Sequence, residues 1–141
     1  MILYLDTSAL VKLYVQEAGS ALIKRHLHAA ETAATSMVAY AEARAAFARR
    51  LREGASTPAR HRARLSQLNQ DWPHYAQIEL SQSLIRQAGD IAEIYGLRGF
   101  DSIHLASALW LKESASLPLA FAALDERLVA AAQAAGLETI S

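Results

Sequence analysis

The sequence predicts a three-layer α/β fold, a central parallel sheet of four or five strands flanked by about seven helices, on three observations. Short apolar runs such as Ile2–Leu5 and Leu119–Leu124 alternate with longer stretches of helical periodicity. These runs are too short for helices and lack an alternating polar face, as do strands covered on both sides. Two of them deliver an acid, Asp6 and Asp125, to a turn that a helical segment follows. In an open parallel sheet that is where ligands bind, outside the carboxyl ends of the strands.

The first strand, Ile2–Leu5, ends at Asp6, and helices follow over about residues 8–16 and 19–30, the second with Leu22, Ile23 and Leu27 at helical spacing. Ala33–Ser36 forms a short strand despite the weak strand propensity of alanine, and Ser36 is placed to cap the helix beginning near Met37. That helix runs from Val38 to about Arg52 and stops at Gly54. Thr57-Pro58 starts another, threonine as N-cap and proline at the first helical position, and it ends before Pro73. Residues Ala76–Leu80 read as an edge strand, and Ser83–Tyr95 as a helix closed by Gly96. Gly99-Phe100-Asp101 opens a helix that Ile103, Leu105, Ala106, Leu109 and Trp110 carry to about Glu113. Leu119–Leu124 is a buried strand, Leu128–Ala135 the last helix with Gly136 after it, and Leu137–Ile140 a final strand. Trp72 and Trp110 read as core or interface residues.

At 141 residues and 52% apolar composition the chain fits one domain spanning residues 1–141, with ample material for a core. It contains no cysteine, which excludes disulfides, thiolate catalysis, thiolate-bound zinc and iron–sulfur clusters and suits a reducing cytoplasm. Asp6 interrupts the apolar N-terminus and no basic segment precedes it, so the run reads as a strand rather than a signal peptide. No stretch has the 18 uncharged apolar residues of a membrane span.

Fourteen basic and 14 acidic residues give zero formal net charge, so global charge does not announce nucleic acid. Locally the balance is different: between Arg44 and Arg64 there are seven arginines, among them Arg44, Arg49 and Arg50, and one acid, Glu53. Such a zone is either two solvated helix faces or, beside an acidic metal site, a phosphate grip.

Four acids stand where an α/β fold can gather them: Asp6, Glu42, Asp101 and Asp125. Three have a purely structural alternative, since an aspartate at a helix start caps it. Glu42 has none of that kind; it lies mid-helix among small and apolar neighbours, and its alternative is an exposed place on an alanine-rich face. Carboxylates about 5 Å apart repel by about 3 kcal/mol per pair at an effective dielectric near 20, so their convergence requires a compensating cation. Oxygen-only ligands select a hard ion, Mg²⁺ or Mn²⁺, which polarises a phosphodiester and activates water. The Thr7 and Ser8 hydroxyls are placed to orient Asp6 or a metal-bound water. His104, three residues after Asp101, reads as a packed or hydrogen-bonded structural histidine rather than a ligand or base.

Four stretches, Leu3-Tyr4-Leu5-Asp6-Thr7-Ser8-Ala9-Leu10, Ala41-Glu42, Leu97-Arg98-Gly99-Phe100-Asp101-Ser102-Ile103-His104-Leu105-Ala106 and Leu124-Asp125-Glu126-Arg127-Leu128, resemble in order and separation the PIN-domain ribonucleases, and more narrowly the VapC-type toxins of bacterial toxin–antitoxin pairs. The resemblance covers essentially the whole chain. It implies neighbouring first and fourth strands, with Asp6, Glu42, Asp101 and Asp125 as the catalytic, metal-binding acids of a Mg²⁺-dependent endoribonuclease. It also implies a homodimer and a small antitoxin whose C-terminal part covers the site. Two other classes stay open: an inactive binding module on the same fold, and a haloacid-dehalogenase-type phosphatase, which wants a second aspartate where Ser8 stands. A flap-endonuclease-like DNA nuclease would be longer and carry further acids.

Overall fold

The computed structural model describes residues 1–140; Ser141, the last residue of the expected domain, lies outside them. The chain runs β1 (Ile2–Leu5), α1 (Thr7–Val11), α2 (Ser20–Ala29), β2 (Thr32–Ser36), α3 (Val38–Arg52), α4 (Pro58–Asp71), β3 (Ala76–Ile78), α5 (Gln82–Tyr95), α6 (Gly99–Ser114), β4 (Leu119–Ala122), α7 (Glu126–Ala134) and β5 (Glu138–Ile140). All four strand pairings are parallel, in the order β3-β2-β1-β4-β5. From β1 the chain steps outward to β2 and β3, then returns across the sheet to β4 and β5. The β1–β4 boundary is therefore the switch point at which ligands bind in open sheets. The Asp6 N–H donates to the Ala122 carbonyl at 3.0 Å, carrying that pairing one residue past β1.

β1 is buried along its whole length, which is why it reads as an unbroken apolar run. Its pleat divides the core. Leu3 and Leu5 join Leu10, Ile23, Phe47 and Leu68, while Ile2 and Tyr4 join Leu84, Leu105, Phe121 and Leu128 on the other face. Tyr4 stacks on Phe121 with ring centroids 5.5 Å apart. The alanines of β2 hold a strand because the sheet closes over both sides of Ala34, a tertiary gain that outweighs weak propensity.

Several element ends differ from expectation. The first helix stops at Val11 rather than near residue 16: the Leu13 and Tyr14 N–H groups reach carbonyls three residues back, tightening the chain into turns before Gly19, whose positive φ of 92° starts α2. The last helix begins at Glu126, earlier than its apolar pattern suggests, because Asp125 caps it. Thr57 and Pro58 open α4 as expected. Ser36 serves the start of α3 through a 3.3 Å bond from the Val38 N–H, although Met37 occupies the cap position itself. Trp72 packs against Tyr40 and Tyr75, but Trp110 is 49% exposed and belongs to no core. Among the described residues no helix is long and apolar enough to cross a membrane.

Replacing Phe121 by alanine removes a ring with no solvent exposure at the centre of one core and is expected to cost about 3–5 kcal/mol. Equilibrium denaturant unfolding measures this; an unchanged midpoint would contradict the packing described.

Candidate active site

At the carboxyl end of β1 the backbone turns directly into α1, and Asp6 is the N-cap of that helix. Its Oδ1 accepts from the Ala9 N–H at 2.9 Å and from the Ser8 hydroxyl at 2.7 Å. The side chain is buried, at 4% exposure. Burial pushes its carboxyl above the ordinary value of 3.8, the nearby His104, the Ala9 N–H and Ser8 pull the other way, and the charge of Asp101 adds to the rise. Capping and ligation are thus compatible roles, because the cap takes one oxygen only. Oδ2 has no hydrogen bond among the described residues.

Glu42, half-buried on α3, is not on an open face. Its Oε1 accepts from the Thr7 hydroxyl at 2.5 Å and lies 3.1 Å from His104 Nε2. Burial opposes its charge, but the bonds from His104 and Thr7 outweigh that and hold the carboxyl below its ordinary range. His104 itself is 2% exposed, with Nδ1 2.9 Å from the Tyr4 hydroxyl and Nε2 2.9 Å from Thr7 Oγ1. The proton positions follow. Thr7 gives its one proton to Glu42, so Nε2 of His104 is the donor towards Glu42 and Thr7. His104 is the hydrogen-bonded histidine expected, yet its partner is a site carboxylate: it fixes the orientation of Glu42.

Asp101 is not a cap, because α6 begins after Arg98, and Asp101 is its third residue. One oxygen takes a 3.3 Å ion pair from Arg98, whose side chain is 82% exposed; the other, Oδ1, has no protein hydrogen bond among the described residues. Asp101 lines two adjoining clefts, one with Glu42, Arg98, Gly99, Phe100 and Ile103, the other with Leu97, Arg98, Asp125, Glu126 and Arg127. Asp125 is exposed and caps α7 through a 3.0 Å bond from the Leu128 N–H, so it adjoins the group without entering it.

Among the described residues no three acidic or histidine side chains converge closely enough to hold a metal ion. The expected cluster of four is therefore not closed. The donor chemistry nevertheless fits a hard cation. Asp6, Glu42 and Asp101 each commit one oxygen to protein donors and keep the other, an oxygen-only set whose held halves orient the free ones.

The arginine zone is largely engaged elsewhere. Arg49 pairs with Glu53 and Arg50 with Glu17, about 10–12 Å along the α3 axis from Glu42 at 1.5 Å per residue, while Arg44 lies over the Tyr40 ring at 5.7 Å. The cations beside the acids are Arg98 and Arg127, which composition overlooked because each stands alone in sequence. Their signal was adjacency, within three residues of Asp101 and Asp125.

A family model described as PIN domain matches residues 3–134. Ribonuclease VapC45 of Mycobacterium tuberculosis (strain CDC 1551 / Oshkosh) is 35% identical over 139 residues, covering 96% of this chain and 92% of that protein. Ribonuclease VapC49 of the H37Rv strain matches with the same figures. Two solved structures share the fold: a toxin–antitoxin complex from Klebsiella pneumoniae (TM-score 0.68, 17% identity, 98% and 95% of the two chains covered) and FitAcB from Neisseria gonorrhoeae (0.66, 18%, 100% and 97%).

Because burial raises the Asp6 pKa in the folded state above its unfolded value, ionising it costs stability at neutral pH, and the cost vanishes as pH falls below about 3.8. Asp6→Asn keeps the cap acceptor and is expected to raise the melting temperature at pH 7 in a chelating buffer, by an amount that shrinks on acidification. A variant that melts below the wild type at pH 7 would contradict this.

Proposed function

The chain belongs to the PIN domain family, and on that footing we propose that it is a divalent-metal-dependent endoribonuclease, the toxin of a toxin–antitoxin pair, with Mg²⁺ or Mn²⁺ as cofactor and one domain carrying the whole activity. The observation that carries this reading is the set of three carboxylates, Asp6, Glu42 and Asp101, each held by one oxygen and free at the other, at the switch point of the sheet. The names of the two mycobacterial relatives support ribonuclease action, and the structural neighbour described as a toxin–antitoxin complex supports a protein antitoxin as partner. We further propose a homodimer acting in the cytoplasm.

Asp6, Glu42 and Asp101 would hold the cation, with Asp125 at the margin. When bound, such an ion polarises the phosphodiester and lowers the pKa of water. The chain's own groups do the positioning. Thr7 and His104 present Glu42, Ser8 and the Ala9 N–H present Asp6, and Arg98 presents Asp101. Arg98 and Arg127, flanking the acids, attract the phosphate backbone, and Arg44 adds an exposed charge on α3.

Asp101→Asn is expected to abolish RNA cleavage while leaving the circular dichroism and melting transition cooperative, and EDTA to do the same to the wild type reversibly. Thr7→Ala, which removes one support of Glu42, is expected to slow cleavage about 10–100-fold. Cleavage of a labelled RNA by Asp101→Asn at the wild-type rate would refute the assignment.

A further inference from the structure

Asp101 separates two clefts of opposite character. The one shared with Asp125, Glu126 and Arg127, about 640 Å³, is lined mainly by polar atoms. The other, about 520 Å³, is lined mainly by apolar atoms, with Phe100, Ile103 and Gly99 beside Glu42 and Arg98 in its walls. Phe100 is 56% exposed on the first turn of α6, in a helix that buries Ser102 and every residue from His104 to Ala108. Nothing in the core uses its ring. Beside it, no atom stands within 4 Å of where a Cβ on Gly99 would point, so that wall stays open.

The chemistry of the walls selects the occupant. Deeper in this cleft, away from the proposed cation, a phosphate meets apolar walls and the charges of Glu42 and Asp101, whereas a flat, uncharged heterocycle gains the face of a phenyl ring. Volumes of this size take small organic groups. Arg98 borders both clefts, so a backbone phosphate near it leaves an adjoining base within reach of the apolar side.

We propose that Phe100 is a base-stacking platform: an unpaired nucleobase next to the scissile phosphate lies on its ring in the apolar cleft, while the backbone passes Asp101 towards Arg98 and Arg127. This deepens, and rests on, the ribonuclease reading above. Such a subsite selects single-stranded or looped RNA, because a paired base cannot leave its own stack to occupy it, and it tolerates all four bases, since each has a π-face.

The test uses Asp6→Asn protein in Mg²⁺ buffer, titrated by fluorescence anisotropy with labelled single-stranded pentaribonucleotides and with the same oligonucleotides carrying abasic riboses. Adding Phe100→Ala is expected to weaken binding of the intact RNA about tenfold and of the abasic RNA hardly at all, and Phe100→Trp to restore the affinity. Equal affinity for intact RNA with and without the ring overturns the proposal, as does an equal loss for abasic RNA. Sedimentation that shows Phe100→Ala altering the oligomeric state, with RNA affinity unchanged, assigns the ring to a protein interface and also overturns it. Failure of the wild type to cut any unpaired RNA, with the base-dependent loss intact, rejects the cleavage reading alone.

Discussion

A buried charge at the centre of the sheet is the constraint on which the site depends. β1 has neighbours on both sides and helices on both faces, so whatever follows Leu5 is delivered to the interior end of the switch point. The residue there is an aspartate, and its charge is disfavoured by burial. Two donors from the start of α1 offset part of that cost, and both fall on one oxygen. The remaining oxygen is a strong acceptor without a partner among the described residues, which makes the arrangement costly for the bare protein and receptive to a cation.

The same logic organises the surrounding helices. Tyr4 from β1, His104 from α6, Glu42 from α3 and Thr7 from α1 form one hydrogen-bonded group, in which Thr7 and His104 reach the Glu42 carboxylate and Tyr4 holds His104. Tyr4 is in the core as a stacking partner of Phe121, and it meets the site through its hydroxyl and through an edge contact of its ring with His104. With Nδ1 of His104 beside the Tyr4 hydroxyl, its other nitrogen faces Glu42, and the bonds from His104 and Thr7 hold the glutamate below its ordinary range. Packing of the core and orientation of the site are thus one structure.

Much of this was legible in the sequence, for identifiable reasons. Strands buried on both sides read as short apolar runs, Thr57-Pro58 and Gly96 mark helix ends by local chemistry, and Asp6 is announced by the strand that precedes it. Contacts made over long sequence separations were not legible. Nothing local indicates that His104 meets Tyr4 a hundred residues away, or that its other nitrogen meets Glu42 across 62 residues. The arginine zone was conspicuous by its density, and of its two sequence readings the ion pairs of Arg49 and Arg50 along α3 accord with solvated helix faces, while Arg98 and Arg127 stand beside the acids. Asp125 answers to both readings, being a cap in fact and a neighbour of Asp101 in space.

The proposed activity requires that Asp6, Glu42 and Asp101, which do not converge in the bare chain, draw together around one divalent cation through their free oxygens. Isothermal titration of the wild type and of Glu42→Gln with Mn²⁺ at neutral pH addresses it most directly, since glutamine keeps the size of the side chain and loses its charge. Saturable binding to the wild type that is strongly weakened in the variant is the expected result. Absence of binding to the wild type, or equal binding to both proteins, would contradict it.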